Sequence, residues 1–431
     1  MRRTEGHGGS RWRGGGRAVL AVAAVLLPLV AGCGGGHEDA DPGAKGAKAT
    51  AGQQGGGKNA GQGSGAFPDK GVLVTASCTV PASKPASVTV TGWDPITWKQ
   101  TVSRTFTVPA EAVVAEADDV ASPLVELCAD NFPGAGTSED GPRAVAATRL
   151  RQLFDKDFSR MAVVLIDRET EATGVGYVDT SGKLTKLSGE QGEDFGDTPK
   201  EENAVFAQDG SAVWFTETDS SDRVRIASRS VAGDHAVTEQ AGGDGEYMDG
   251  AGLALAGDPV RGLFGKEVRI SPDGRKATAF ITWQGYNVVD VPQRGAALLK
   301  AKRVKATAIP FDADCYPYGW VDDRTVLCGP RLGKADDPKR NNSFWTLDAS
   351  RLDGTADAPK GALGGPIIPA TDRKNTVRAI AREGKQMIFA SLQGTRLEFF
   401  VSAIAPGATP KKITAGSAER ALSVGDVLEW R

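Results

Sequence analysis

The stretch VRISPDGRKATAFITW, residues 268–283, decides the fold. Val268 and Ile270 flank Arg269, and Ala277 and Ala279 flank Thr278, the period of a half-buried strand. Between the two runs stands Ser271-Pro272-Asp273-Gly274. Proline presets φ, aspartate bonds its own backbone, and glycine accepts φ > 0, so this tetrapeptide reverses the chain tightly. The segment reads as a β-hairpin whose second strand ends in aromatics.

The same plan recurs on either side. AVFAQDGSAVWFTE (204–217) turns at Asp209-Gly210, and VRAIAREGKQMIFASL (377–392) turns at Glu383-Gly384. YGWVDDRTVLCG (318–329) turns at Asp322-Asp323, and QLFDKDFSRMAVVLID (152–167) turns near Asp157 without a glycine. Each hairpin is followed by another β-rich run, such as GVGYVDTSGKLTKL or LEFFVSAIAPG. The turns lie roughly 50–64 residues apart, the size of one propeller blade. Helical periodicity is nearly absent, apart from one short helix expected where Ser122 caps Pro123-Leu124-Val125-Glu126-Leu127-Cys128.

The SPDG hairpin followed by an aromatic resembles the PD40, or TolB-like, β-propeller repeat, a WD40-like architecture. The resemblance spans about residues 145–415 and is most specific at Ser271–Phe280. It implies an all-β propeller in which the Asp-Gly turns are structural, not catalytic. Five repeats fill that span. GVLVTAS, ASVTVTGWD and TWKQTVSRTFTV at the N-terminal end and ERALSVGDVLEW at the C-terminal end remain for one further, mixed blade. Pairing those ends hides the exposed edges of an open ring. Six blades are expected, with seven as the alternative because six would be unusually long.

The N-terminal region addresses the chain to a membrane. Five arginines and one glutamate precede or flank the apolar run AVLAVAAVLLPLVAG (18–32), which is shorter than the roughly 20 residues of a membrane span. Val30-Ala31-Gly32-Cys33 resembles a bacterial lipobox, which implies a signal peptide over 1–32 and a lipidated Cys33. Residues 33–68 are rich in glycine and poor in large apolar residues, a composition that cannot offset the entropy of ordering. They read as a disordered tether, leaving 69–431 as the folded domain. The expected location is the extracytoplasmic face of the cell membrane. The Ala- and Gly-rich, lysine-poor composition resembles that of a high-GC actinobacterium.

Four further cysteines, Cys78, Cys128, Cys315 and Cys328, suit two disulfides in an exported chain. Three pairings are possible. In CYPYGWVDDRTVLC a hairpin about the VDDR turn brings Cys315 nearly opposite Cys328. Cys78–Cys128 then follows and would staple the closing blade.

The full chain carries 51 basic and 54 acidic residues, with no arginine cluster in the folded part, so nucleic acid is not an expected partner. The domain holds one histidine, His235, in a polar turn, and lacks G-x-S-x-G, HExxH and Walker A motifs. Asp244, Glu246 and Asp249 stand in the glycine-rich loop GGDGEYMDGAG and could hold Ca²⁺, although a solvated connection explains them more simply. No other cofactor is expected.

Aromatic residues are the candidate binding groups. Tyr316, Tyr318 and Trp320 flank the Cys315–Cys328 hairpin, Trp283 and Tyr286 form a second tip, and Tyr247 a third. If these tips open on one face they would surround one mouth of the central channel, where aromatic anchors bind partners or sugars. Interior packing between blades is the simpler account of Trp283 and Trp320, while Tyr286 and Tyr316 are expected at the surface. The expected function is binding or scaffolding for an envelope protein, peptide or glycan by a monomer. An envelope hydrolase or lyase with a carboxylate or metal site, and a Ca²⁺ or small-ligand sensor, are the alternatives.

Overall fold

A computed structural model describes residues 65–81, 85–115, 120–129, 148–188, 200–207, 209–218, 224–242, 268–281, 285–290, 306–330 and 337–431. The chain divides into two units, Met1–Gly57 and Lys58–Arg431. The first lies outside the described residues, as do Cys33, Asp244, Glu246, Tyr247, Asp249 and Trp283. Among the described residues no helix is long and apolar enough to cross a membrane.

The described chain is a succession of antiparallel meanders, the arrangement of a β-propeller. The first sheet has the order β22–β1–β2–β3, from β1 (Leu73–Thr79), β2 (Ser87–Trp93), β3 (Gln100–Thr107) and the last strand β22 (Asp426–Trp430). A second sheet holds two meanders. One is β4 (Arg160–Ile166), β5 (Thr173–Asp179) and β6 (Leu184–Lys186). The other is β7 (Lys200–Phe206), β8 (Ala212–Thr218), β9 (Val224–Ser230) and β10 (Val237–Gly242). Only the parallel pair Thr173↔Lys200 joins them. The SPDG hairpin opens the third sheet: β11 (Arg269–Ile270), β12 (Lys276–Ile281), β13 (Gly285–Asp290) and β14 (Ala306–Ala308). The fourth contains β15 (Tyr316–Trp320), β16 (Thr325–Gly329) and β17 (Trp345–Asp348). The fifth contains β18 (Lys374–Ile380), β19 (Gln386–Gln393), β20 (Arg396–Ala403) and β21 (Lys411–Lys412).

The hairpin turns are built as their residues require. The Ser271 hydroxyl donates to the Asp273 carboxylate at 2.7 Å and accepts the Lys276 N–H at 3.0 Å, while Gly274 takes φ +74°. These turns also touch the neighbouring meander. The Asp273 N–H donates to the Asp323 carboxylate at 2.9 Å, Arg160 donates to the Gly210 carbonyl at 3.0 Å, and Arg382 N–H donates to the Trp430 carbonyl at 2.9 Å.

The middle of β16 is apolar because each of its faces meets a different sheet. On β16, Val326 and Cys328 pack with Tyr286, Val288 and Trp345, whereas Leu327 packs with Phe344, Val377 and Met387. Burial of such a side chain contributes about 1.5–3 kcal/mol. Among the buried charged residues, one pair is well partnered. Glu201 and Arg229 are both buried. Glu201 accepts two hydrogen bonds from Arg229, at 2.6 and 3.1 Å, the Val175 N–H at 3.1 Å, and the Ser188 hydroxyl. This network reinforces the two meanders that share only one strand pair.

Two segments depart from the strand pattern. The residues before Asp157 form helix α2 (Thr148–Gln152), and only the isolated bridge Phe154↔Met161 remains of the expected first strand. In ERALSVGDVLEW the first half lies in helix α3 (Gly416–Val424), and only the second half is strand β22. Buried Arg378 on β18 donates to the carbonyls of Leu422 and Gly425, supplying the donors that the C-terminal end of α3 lacks. The short helix expected after Ser122 is α1 (Pro123–Cys128), with the Ser122 hydroxyl accepting the Leu124 N–H.

Both disulfides form as expected. Cys78–Cys128 links β1 to α1 with Cα atoms 5.0 Å apart, and Cys315–Cys328 spans the β15–β16 hairpin at 4.9 Å. Phe67, which its glycine-rich surroundings place in the tether, is buried against Phe158 at a centroid distance of 4.6 Å.

Candidate functional site

The structure brings the Tyr286 and Tyr316 tips together, with Tyr286 buried and Tyr316 half-buried. Their rings meet edge to face at 5.4 Å, and Tyr286 is only 8% exposed. Tyr316 continues to Tyr318 at 4.9 Å, Tyr318 to Phe344 at 5.8 Å, and Phe344 to Phe389 at 5.4 Å. The expected exposed position is therefore corrected for Tyr286, and Tyr318 and Trp320 are buried as well, whereas Tyr316 keeps part of its surface exposed. β15 is covered on both faces, so its aromatics become packing between sheets. Burial raises the Tyr318 phenol above its ordinary range, and the neighbouring Tyr316 adds to the shift against a hydrogen bond with Thr376. Trp320 is buried too, and its indole N–H donates to the Arg269 carbonyl at 2.9 Å, tying the fourth sheet to the third.

Among the described residues no group of three or more His, Cys, Asp or Glu side chains is placed to hold a metal. His235 sits in its turn at φ +57° with Nδ1 2.8 Å from the Ser230 carbonyl.

A groove of about 860 Å³ lies where the first and fifth sheets adjoin. One wall is the β2–β3 loop. Asp94 shapes it by accepting the N–H groups of Ile96 and Thr97, both at 2.8 Å, and its own carbonyl accepts the Trp98 N–H at 2.8 Å. The backbone N–H groups of Thr97 and Ile96 hold the Asp94 carboxyl below its ordinary pKa. This Asx-type turn forces Trp98 to φ +56°, a region that non-glycine residues avoid. Trp98 is buried, whereas Ile96 projects with 88% of its surface exposed. Ser417 at the start of α3 donates to the Trp98 carbonyl at 2.8 Å and braces the loop from behind.

The opposite wall combines the β18–β19 turn at Arg382 and Glu383 with β21 and the residues after it, up to Ala415. Trp430 and Lys70 complete the lining. Five cationic side chains, Lys70, Arg382, Lys411, Lys412 and Arg431, meet the single carboxylate side chain of Glu383. Two of the five are already partnered: Lys412 with Glu398 at 2.5 Å, and Arg431 with Glu429 at 2.6 Å. The remaining three still outnumber Glu383. Glu398 is held by Lys412 and Arg373, which pull its carboxyl down to about 2.

The groove residues escaped sequence reasoning because they stand at positions 70–98 and 382–431, with no local pattern to link them. The one legible sign was the lysine pair Lys411-Lys412 beside a β-rich run, and charge pairs of that kind are common on solvated edges.

No protein-family model matches this chain, and no curated protein matches it. Solved structures similar to it include TolB from Acinetobacter baumannii, 13% identical over 80% of this chain and 70% of that one, with a TM-score of 0.31. The periplasmic gluconolactonase of Pseudomonas aeruginosa is 12% identical over 80% of this chain and 82% of that one, with a TM-score of 0.33. The β-propeller domain of the Trilobed protease from Pyrococcus furiosus is 7% identical over 81% and 83%, with a TM-score of 0.34.

Proposed function

We propose that this chain is a lipid-anchored, extracytoplasmic binding module that holds an acidic segment of an envelope protein in the groove between its first and fifth sheets. The observation that carries the reading is the groove itself: Lys70, Arg382 and Lys411, without an ion-pair partner among the described residues, over an apolar wall of Pro95, Ile96 and Trp98. Such a surface attracts anionic chains by charge and retains them by burying apolar side chains. In this reading the meanders form six blades, with the β22–β1 pair closing the first. The antiparallel register from Leu73↔Trp430 to Ala76↔Asp426 supports that closure, as does the reach of Arg431 to the Lys156 carbonyl at 2.9 Å. Cys33 carries the lipid, and the glycine-rich residues after it let the domain reorient above the membrane.

The test is fluorescence anisotropy of a labelled glutamate-rich peptide with the purified protein, beside the double variant Arg382→Glu/Lys411→Glu. Binding that weakens by roughly tenfold or more in the variant, and with rising salt, is expected. Equal affinity for both proteins would overturn the groove as the site.

A further inference from the structure

The fifth sheet ends at β21, whose Lys411 and Lys412 line the groove. Val401 pairs with Lys411 and Phe400 with Lys412, and the Ile413 N–H donates to the Phe399 carbonyl at 2.8 Å. In an antiparallel ladder, backbone groups alternate between inward and outward directions. Residues 411 and 413 therefore spend theirs on β20, and Lys412 and Thr414, which also line the groove, turn their N–H and C=O groups away from β20. Among the described residues no hydrogen bond reaches those outward groups.

We infer that the groove receives its acidic occupant as an added antiparallel or parallel β-strand on the edge of β21, an inference that rests on the groove reading above. An extended chain laid there gains main-chain hydrogen bonds from Lys412 and Thr414. The opposite wall is rigid, since Asp94 fixes the turn carrying Ile96 and Ser417 braces Trp98. It stands ready to cover one face of the added strand. Lysines on an edge strand commonly guard against uncontrolled pairing. Here the guard is selective: Lys411, with Lys70 and Arg382 on the same groove, repels a basic strand and loses solvation against a neutral one, but complements an acidic one. The occupant is thus an extended peptide alternating acidic and apolar residues, rather than a helix or a compact anion.

The experiment uses the intact protein and three labelled peptides of about seven residues, the length of an ordinary strand. All three alternate glutamate with valine or threonine. One is unmodified, and the other two carry N-methyl groups on alternate backbone amides, each of opposite parity. Strand addition uses the amides of one parity only. The expected result is that one methylated peptide binds like the unmodified peptide, while the other loses about tenfold or more, corresponding to one or two hydrogen bonds. Equal behaviour of the two methylated peptides, whether both bind or neither does, overturns strand addition while leaving the groove intact as the site. Failure of the unmodified peptide to bind removes the groove reading and this inference with it.

Discussion

Gly384 lies so close to Val321 that a Cβ on the glycine would sit 1.9 Å from the Val321 carbonyl oxygen. The contact joins the β18–β19 turn to the β15–β16 turn, and Gly384 also adopts φ +69°. Two requirements therefore exclude a side chain: the left-handed backbone and the approach of a neighbouring meander. Gly384→Ala should lower stability by about 3 kcal/mol or more, since backbone must move as well as strain. Gly394→Ala is the control. That glycine has φ +58° but open space around its Cβ position, and should cost about 1–2 kcal/mol. Urea unfolding of both variants checks the ordering, and equal losses would show that only backbone strain matters.

The two disulfides should differ in worth. Cys78–Cys128 closes a loop of 50 residues and Cys315–Cys328 one of 13. Constraint of the unfolded chain gives about 4 kcal/mol for the first and about 3 kcal/mol for the second. Paired Cys→Ala variants, compared by denaturant midpoint, should rank in that order.

Glu398 supplies an acid-sensitive contact. Hydrogen bonds from Lys412 and Arg373 lower its carboxyl from 4.5 to about 2, so the fold favours the ionised form. That stability is fully present above about pH 4.5 and disappears as pH falls toward 2. Glu398→Gln should be less stable than the parent at pH 7 and should lose less between pH 4.5 and 2. Parallel acid slopes for the two proteins would remove Glu398 from the account.

The proposed lipid anchor is tested at Cys33. Cys33→Ala should move the protein from the membrane fraction to the soluble fraction and abolish incorporation of labelled fatty acid. Retention of acyl-labelled, membrane-bound protein in that variant would sink the lipoprotein reading.

Local chemistry made much of the fold legible. Asp273-Gly274 and Glu383-Gly384 reverse the chain because their backbone preferences act over four residues, whatever surrounds them. Cys315 and Cys328 were readable for the same reason, being carried by one hairpin. The strand expected in ERALSVGDVLEW failed halfway because its apolar residues suit either period over so short a run, and Arg378 on a distant strand caps the helix that forms.

The aromatic residues mark the boundary between the two kinds of information. The sequence by itself determined that Tyr286 and Tyr316 flank strand ends, and where the turns and cysteines stand. Only the tertiary structure decided that these rings meet edge to face, with Tyr286 buried and Tyr316 half-buried, because burial depends on which sheet covers a strand. The groove is wholly tertiary. Lys70 and Ile96 meet Arg382 and Lys411 because β22, from the C-terminal end, pairs with β1, and the free energy of that pairing comes from contacts across more than three hundred residues of chain.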